Sequence, residues 1–178
     1  MRMVIGMIAA AASMAACGGA NSATGPGSVG GAMAATINGQ SFQASVVSAH
    51  VAPVNPDGQH AIEIVGVESC STGGPLFNIQ ILRAAADVAA GTYQTAAGNG
   101  TPSGIAKVTM NMNANTPGGA DAWEAVPGGV VTITSVSGSN VSGTFHADLN
   151  PTSGNKVGGA RAIRSGTFTA PISNRPIC

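Results

Sequence analysis

From residue 33 onward, hydrophobic and polar positions alternate with a period of two, which predicts β-strands with one buried and one solvated face. In 76–84, LFNIQILRA, the alternation sets Phe77, Ile79 and Ile81 against Asn78 and Gln80. In 105–113, IAKVTMNMN, it sets Val108, Met110 and Met112 against Lys107, Thr109 and Asn111. Residues 140–149 align Val141, Phe145, Ala147 and Leu149. Looser alternation marks 41–51 and 60–69. Between them Asn55-Pro56-Asp57-Gly58 is a turn, because proline presets φ and glycine accepts positive φ, so the pair reads as a hairpin. Segments 129–137 and 159–172 complete the set, with further turns at Gly138-Ser139 and from Ser71 to Pro75. Only 83–91, RAAADVAAG, has helix-forming composition, and its apolar residues are mostly alanine, which predicts no more than a helical turn or a loop. The predicted fold is all-β: an antiparallel β-sandwich, or alternatively an open β-barrel, in a single domain over 33–178.

One tripeptide recurs, as Gly91-Thr92-Tyr93, Gly143-Thr144-Phe145 and Gly166-Thr167-Phe168. Its irregular spacing excludes a solenoid. Glycine permits a bulge or bend, threonine faces outward and the aromatic ring enters the core. With so few aromatics in the chain, Phe42, Phe77, Tyr93, Trp123, Phe145 and Phe168 are the predicted core anchors. Burying each contributes on the order of 2–3 kcal/mol.

Before residue 17 the pattern is different. Residues 1–16 carry one positive charge at Arg2, then an apolar run, then small residues, which is the plan of a secretory signal. The apolar run is shorter than the ~20 residues a spanning helix needs, and its lack of a polar face argues against a buried surface helix. Residues 18–31, GGANSATGPGSVGG, read as a flexible tether with a reach of roughly 20 Å. The formal GxGxxG within it, Gly25 to Gly30, has neither the preceding strand nor the following helix that a dinucleotide site requires.

The junction Met14-Ala15-Ala16-Cys17-Gly18 resembles the lipobox of bacterial lipoproteins. The resemblance implies cleavage before Cys17 and acylation of its sulfur and its new amino group. Two or more acyl chains give stable anchoring where one does not. Domain organisation would then be a signal peptide at 1–16, a lipidated Cys17 with its tether at 17–32, and the β domain. Met14 stands where the family usually has leucine, so cleavage by an ordinary signal peptidase is the alternative. Gly18 follows the cysteine, where an aspartate marks inner-membrane retention in enteric lipoproteins, and this points to the outer membrane. The stretches ATINGQSFQA, GTY, VTITSVSGSNVSGTF and RSGTFTAPI are similar to a pattern in small bacterial lipoproteins with all-β domains of unassigned function. That group carries no known catalytic residues.

Composition narrows the function classes further. Charged residues are 8% of the chain, against an ordinary ~25%. Basic and acidic side chains number seven each, and losing Arg2 leaves six basic groups. Without a basic patch, nucleic acid is not an expected partner. Three cysteines are present; with Cys17 carrying lipid, Cys70 and Cys178 form an even pair in an oxidising compartment and are predicted to be disulfide-bonded. The bond would close a loop of about 109 residues, for which chain entropy predicts about 4–5 kcal/mol. No CxxC is present to suggest zinc.

Catalytic chemistry is thinly represented. Neither a G-x-S-x-G elbow nor an H-E-x-x-H motif occurs. His146 and Asp148 share a strand face and could form an acid–base or metal pair; His50 and His60 could meet across the first hairpin. Asn111, Asn113 and Asn115 with Asp121 offer one carboxylate among amides, a weak calcium set. The sequons at Asn99 and Asn140 carry little weight in a bacterial setting. The expectation is therefore a lipid-anchored cell-envelope protein. Its β domain would be non-enzymatic, with a structural role or one in binding an envelope protein or glycan, and without metal or cofactor. The alternative is a secreted hydrolase or metal-dependent enzyme using His50, His60 or His146.

Overall fold

The alternating segments form strands because each places its apolar set on one face while its backbone pairs with neighbouring strands. In a computed structural model, which describes residues 30–52, 58–70, 74–84, 86–96, 104–112, 121–152, 154 and 157–173, eleven strands are present. They are β1 (Ala32–Ile37), β2 (Gln40–Gln43), β3 (Val46–Ala52), β4 (Gln59–Val67), β5 (Leu76–Ala84) and β6 (Gly91–Thr95). The rest are β7 (Ile105–Met112), β8 (Asp121–Ala125), β9 (Val130–Val136), β10 (Asn140–Pro151) and β11 (Arg161–Pro171). The signal-like segment, Cys17, the tether to Val29, Asn99, Asn113, Asn115 and Cys178 lie outside the described residues.

The chain is all-β, as its periodicity predicts. The strands make one hydrogen-bonded sheet in the order β2-β1-β11-β10-β9-β6-β7-β5-β4-β3, and β8 pairs with both β10 and β7. That double pairing closes β10, β9, β6, β7 and β8 into a five-stranded barrel. Where the sequence predicts a sandwich or an open barrel, the hydrogen bonding closes a barrel through five strands and extends the sheet on both sides. The two extensions meet where Ala49 bridges Ile172, and Ser173 N–H donates to the Ala49 carbonyl at 2.8 Å. Pairing is antiparallel except at that bridge and between β6 and β7.

The predicted inward faces are inward. Phe77, Ile79 and Ile81 are fully buried, as are Val108, Val141 and Leu149. Four phenylalanines form a chain of rings through the core: Phe42 to Phe77 at 4.8 Å, Phe77 to Phe145 at 5.9 Å and Phe145 to Phe168 at 6.3 Å between centroids. The first two contacts are edge-to-face, the arrangement the ring quadrupole favours. All six predicted aromatic anchors are buried.

The recurrent tripeptide has a sharper role than a bend. Strands β10 and β11 place Gly143 opposite Phe168 and Phe145 opposite Gly166. A Cβ on Gly143 would lie 2.6 Å from Cζ of Phe168, and one on Gly166 would lie 2.6 Å from Cδ1 of Phe145. Each glycine therefore makes room for the other tripeptide's ring, and Thr144 faces Thr167 between them. A bulge does follow, in β11, where Ser165 takes φ of 51° and the register shifts opposite Phe145 and Ala147.

Two features depart from the periodic reading, and one expectation is resolved. Segment 41–51 is two strands, because Ala44 N–H bonds the Met33 carbonyl and Ser45 N–H bonds the Val67 carbonyl, which moves the chain from one partner strand to another. Strands β1, β6 and β8 are additional. Residues 86–90, expected as a helical turn or a loop, are a loop, anchored by buried Val88 and by Tyr93, whose hydroxyl donates to the Ala89 carbonyl at 2.7 Å.

Candidate functional site

One end of the sheet gathers the β1–β2 turn, the end of β4, the start of β5, the end of β7 and the start of β11. There these elements line a pocket of about 500 Å³, within the range of small-molecule sites. The turn is set by Asn38 and Gly39, with φ of 48° and 84°, the two-residue hairpin loop for which Asn-Gly is the strongest short signal. Asn38 also ties the turn to β11: its side-chain oxygen accepts from Ala162 N–H at 2.7 Å, and its own N–H donates to the Ala162 carbonyl at 3.0 Å.

The pocket wall is apolar at Phe42, Met110, Met112 and Ile37 and polar at Asn38, Gln40 and Ser41. Glu68 and Arg161 bring opposite charges to it. Arg161 is positioned by a stack. Trp123, in the middle of β8, is fully buried and donates its indole N–H to the Gly159 carbonyl at 2.8 Å. Gly158 and Gly159 both have left-handed φ, 65° and 73°, which folds the chain before β11 over the ring. The Arg161 guanidinium then lies 4.7 Å from the Trp123 centroid, a cation–π contact that fixes the head group.

The other arginines on the described surface are differently used. Arg164 bonds Asp148 at 2.7 Å and the Ala147 and Ile163 carbonyls. Arg83 donates to the Asp87 carbonyl at 3.0 Å. Three ion pairs occur among the described residues, and neither Arg161 nor Glu68 belongs to one.

The sequence-predicted candidates are placed as follows. His50 is exposed and pairs in register with Glu63, whose neighbours along β4 at 62 and 64 point into the core. His60 shares the parity of Ile62 and Ile64, so the two histidines occupy opposite faces of the β3–β4 ladder and do not meet across the hairpin. His60 instead bonds Asp87, Nδ1 to Oδ1, at 2.7 Å. His146 is exposed beside Val130, and Asp148, its expected partner, is bonded to Arg164. Asn111 and Asp121 sit on the adjoining strands β7 and β8, and among the described residues no group of three or more His, Cys, Asp or Glu could hold a metal. Cys70 is exposed just after β4 and is not free. Among the described residues, no helix is long and apolar enough to cross a membrane.

Sequence reasoning missed the pocket. Its one local signal is the Asn38-Gly39 hairpin turn; the rest comes from strand ends far apart in sequence. It also missed Thr95, whose buried hydroxyl accepts from Gly129 N–H at 2.9 Å and donates to the Val126 carbonyl at 2.8 Å. No protein-family model, curated protein or solved structure matches this chain.

Proposed function

We propose that this chain is a lipid-anchored protein of the bacterial cell envelope whose β domain binds a ligand without catalysis. The observation that carries the anchoring is the run from a signal-like segment through Ala-Ala-Cys17 into a Gly/Ser-rich tether. Binding is supported by the pocket, which sets a fixed guanidinium and a carboxylate in a partly apolar wall. The chain enters the domain at Gly31, just before β1, and the pocket lies at the other end of that strand, about 17 Å further on.

The reading includes a disulfide between Cys70 and Cys178. Ser173 is held beside Ala49 on β3, and β3 pairs along its length with β4, which ends just before Cys70. Cys70 itself is not free. An oxidised pair fits an extracytoplasmic address.

The test is fractionation of cells making the full chain or Cys17→Ser. The parent should sediment with membranes and incorporate labelled fatty acid, and the variant should do neither. Equal label in both would refute the anchor.

A further inference from the structure

We infer that the pocket at the β1–β2 end takes a small zwitterion with an apolar tail, an aliphatic α-amino acid or its dipeptide. This rests on the binding reading above and adds the ligand's chemical class. The pocket holds one guanidinium, Arg161, and one carboxylate, Glu68, and they form no ion pair with each other or with another described residue. A simple carboxylate would gain Arg161 but meet the repulsion of Glu68; a simple amine would meet the reverse. A molecule with both charges satisfies both walls, and each contact is a charge-assisted hydrogen bond of the stronger kind.

Arg161 is prepared for this part. The contact with Trp123 holds the guanidinium in place, and among the described residues its one side-chain hydrogen bond is a long one, 3.4 Å, to the Ala160 carbonyl. Most of its donors are left for a planar, bidentate acceptor, which a carboxylate is and a hydroxyl is not. The rest of the lining combines apolar Ile37, Phe42, Met110 and Met112 with the uncharged polar Asn38, Gln40 and Ser41. Methionine's unbranched, polarisable side chain adapts to differing aliphatic shapes, so the site would accept a class of side chains more readily than a single one. The absence of an aromatic platform on the lining beyond Phe42 disfavours a sugar ring.

The test uses the purified full chain in detergent, titrated calorimetrically with leucyl-leucine, octanoate and octylamine. The dipeptide should bind and the two single-charge probes should bind at least about tenfold more weakly, the factor expected for one charge-assisted bond. Arg161→Gln should weaken the dipeptide by about tenfold or more. Glu68→Gln, an exposed rim change that leaves the core untouched, should weaken the dipeptide and strengthen octanoate relative to it. Octanoate binding as tightly as the dipeptide, an unchanged dipeptide affinity in Glu68→Gln, or no heat from any probe would overturn the zwitterion. Tight binding of octanoate alone would still leave a ligand-binding pocket, and none of these outcomes touches the Cys17 fractionation.

Discussion

Thr95 shows how much one hydroxyl can carry in a barrel wall. It sits where β8 ends and β9 begins, and bonds both the Val126 carbonyl and the Gly129 N–H across that connection. Its own backbone N–H bonds the Gly129 carbonyl at 2.9 Å. A Cβ at Gly129 would lie 2.7 Å from the Thr95 hydroxyl, so the glycine is required for the approach. Thr95→Val keeps the shape and removes the hydroxyl, leaving a donor and an acceptor unpaired in a buried site. It should lower unfolding stability by on the order of 2–3 kcal/mol in a denaturant titration. Thr95→Ser, which keeps the hydroxyl, should lose clearly less. Equal midpoints for the two variants would show that the hydroxyl is not what secures the junction. Nothing in the sequence around Thr95 distinguishes it from the outward threonines of neighbouring strands, because its partners lie 31 and 34 residues away.

At the scale of elements, the β10–β11 ladder is stabilised by two glycine–phenylalanine pairs that fit only together. Gly166→Ala should destabilise the protein by about 1–3 kcal/mol, the usual cost of overfilling a packed site. In a Phe145→Leu background the same change should cost less, because the ring that occupies the space is gone, although the Phe145 carbonyl still crowds the new Cβ at 2.5 Å. A double-mutant cycle should therefore show coupling of about 0.5 kcal/mol or more, and additive losses would mean the ring and the glycine are independent. The tripeptides were legible as aromatic anchors preceded by glycine, but their reciprocal register was not, because it depends on which two copies pair. The same limit explains the rest of the fold. Strands β4, β5, β7, β9, β10 and β11 are long enough for their period of two to stand out. Strand β8 offers only Trp123 and Ala125 as fully buried apolar residues, and β6 only Tyr93, too few to mark a period. The parallel pairing of β6 with β7 and the two-sided pairing of β8, which close the barrel, leave no trace in local sequence. Among the candidate site residues, parity decided one case: β3–β4 register puts His50 and His60 on opposite faces, whatever their separation along the hairpin.

For the whole molecule, the proposed anchor at Cys17 precedes β1, and the pocket lies at the far end of that strand. The core beneath is one cluster that runs from Met33 and Phe42 through the phenylalanine chain to Ile163 and Ala170, so β1 is packed into the body it tethers. What makes this arrangement meaningful is lipid on Cys17, and that is read most directly by peptide mass spectrometry of the mature chain purified from membranes. The account predicts an amino-terminal peptide that begins at Cys17 and carries a diacylglyceryl group on sulfur and an acyl group on nitrogen, with no unmodified form. A mature chain that begins at another residue, or at Cys17 without lipid, would contradict it.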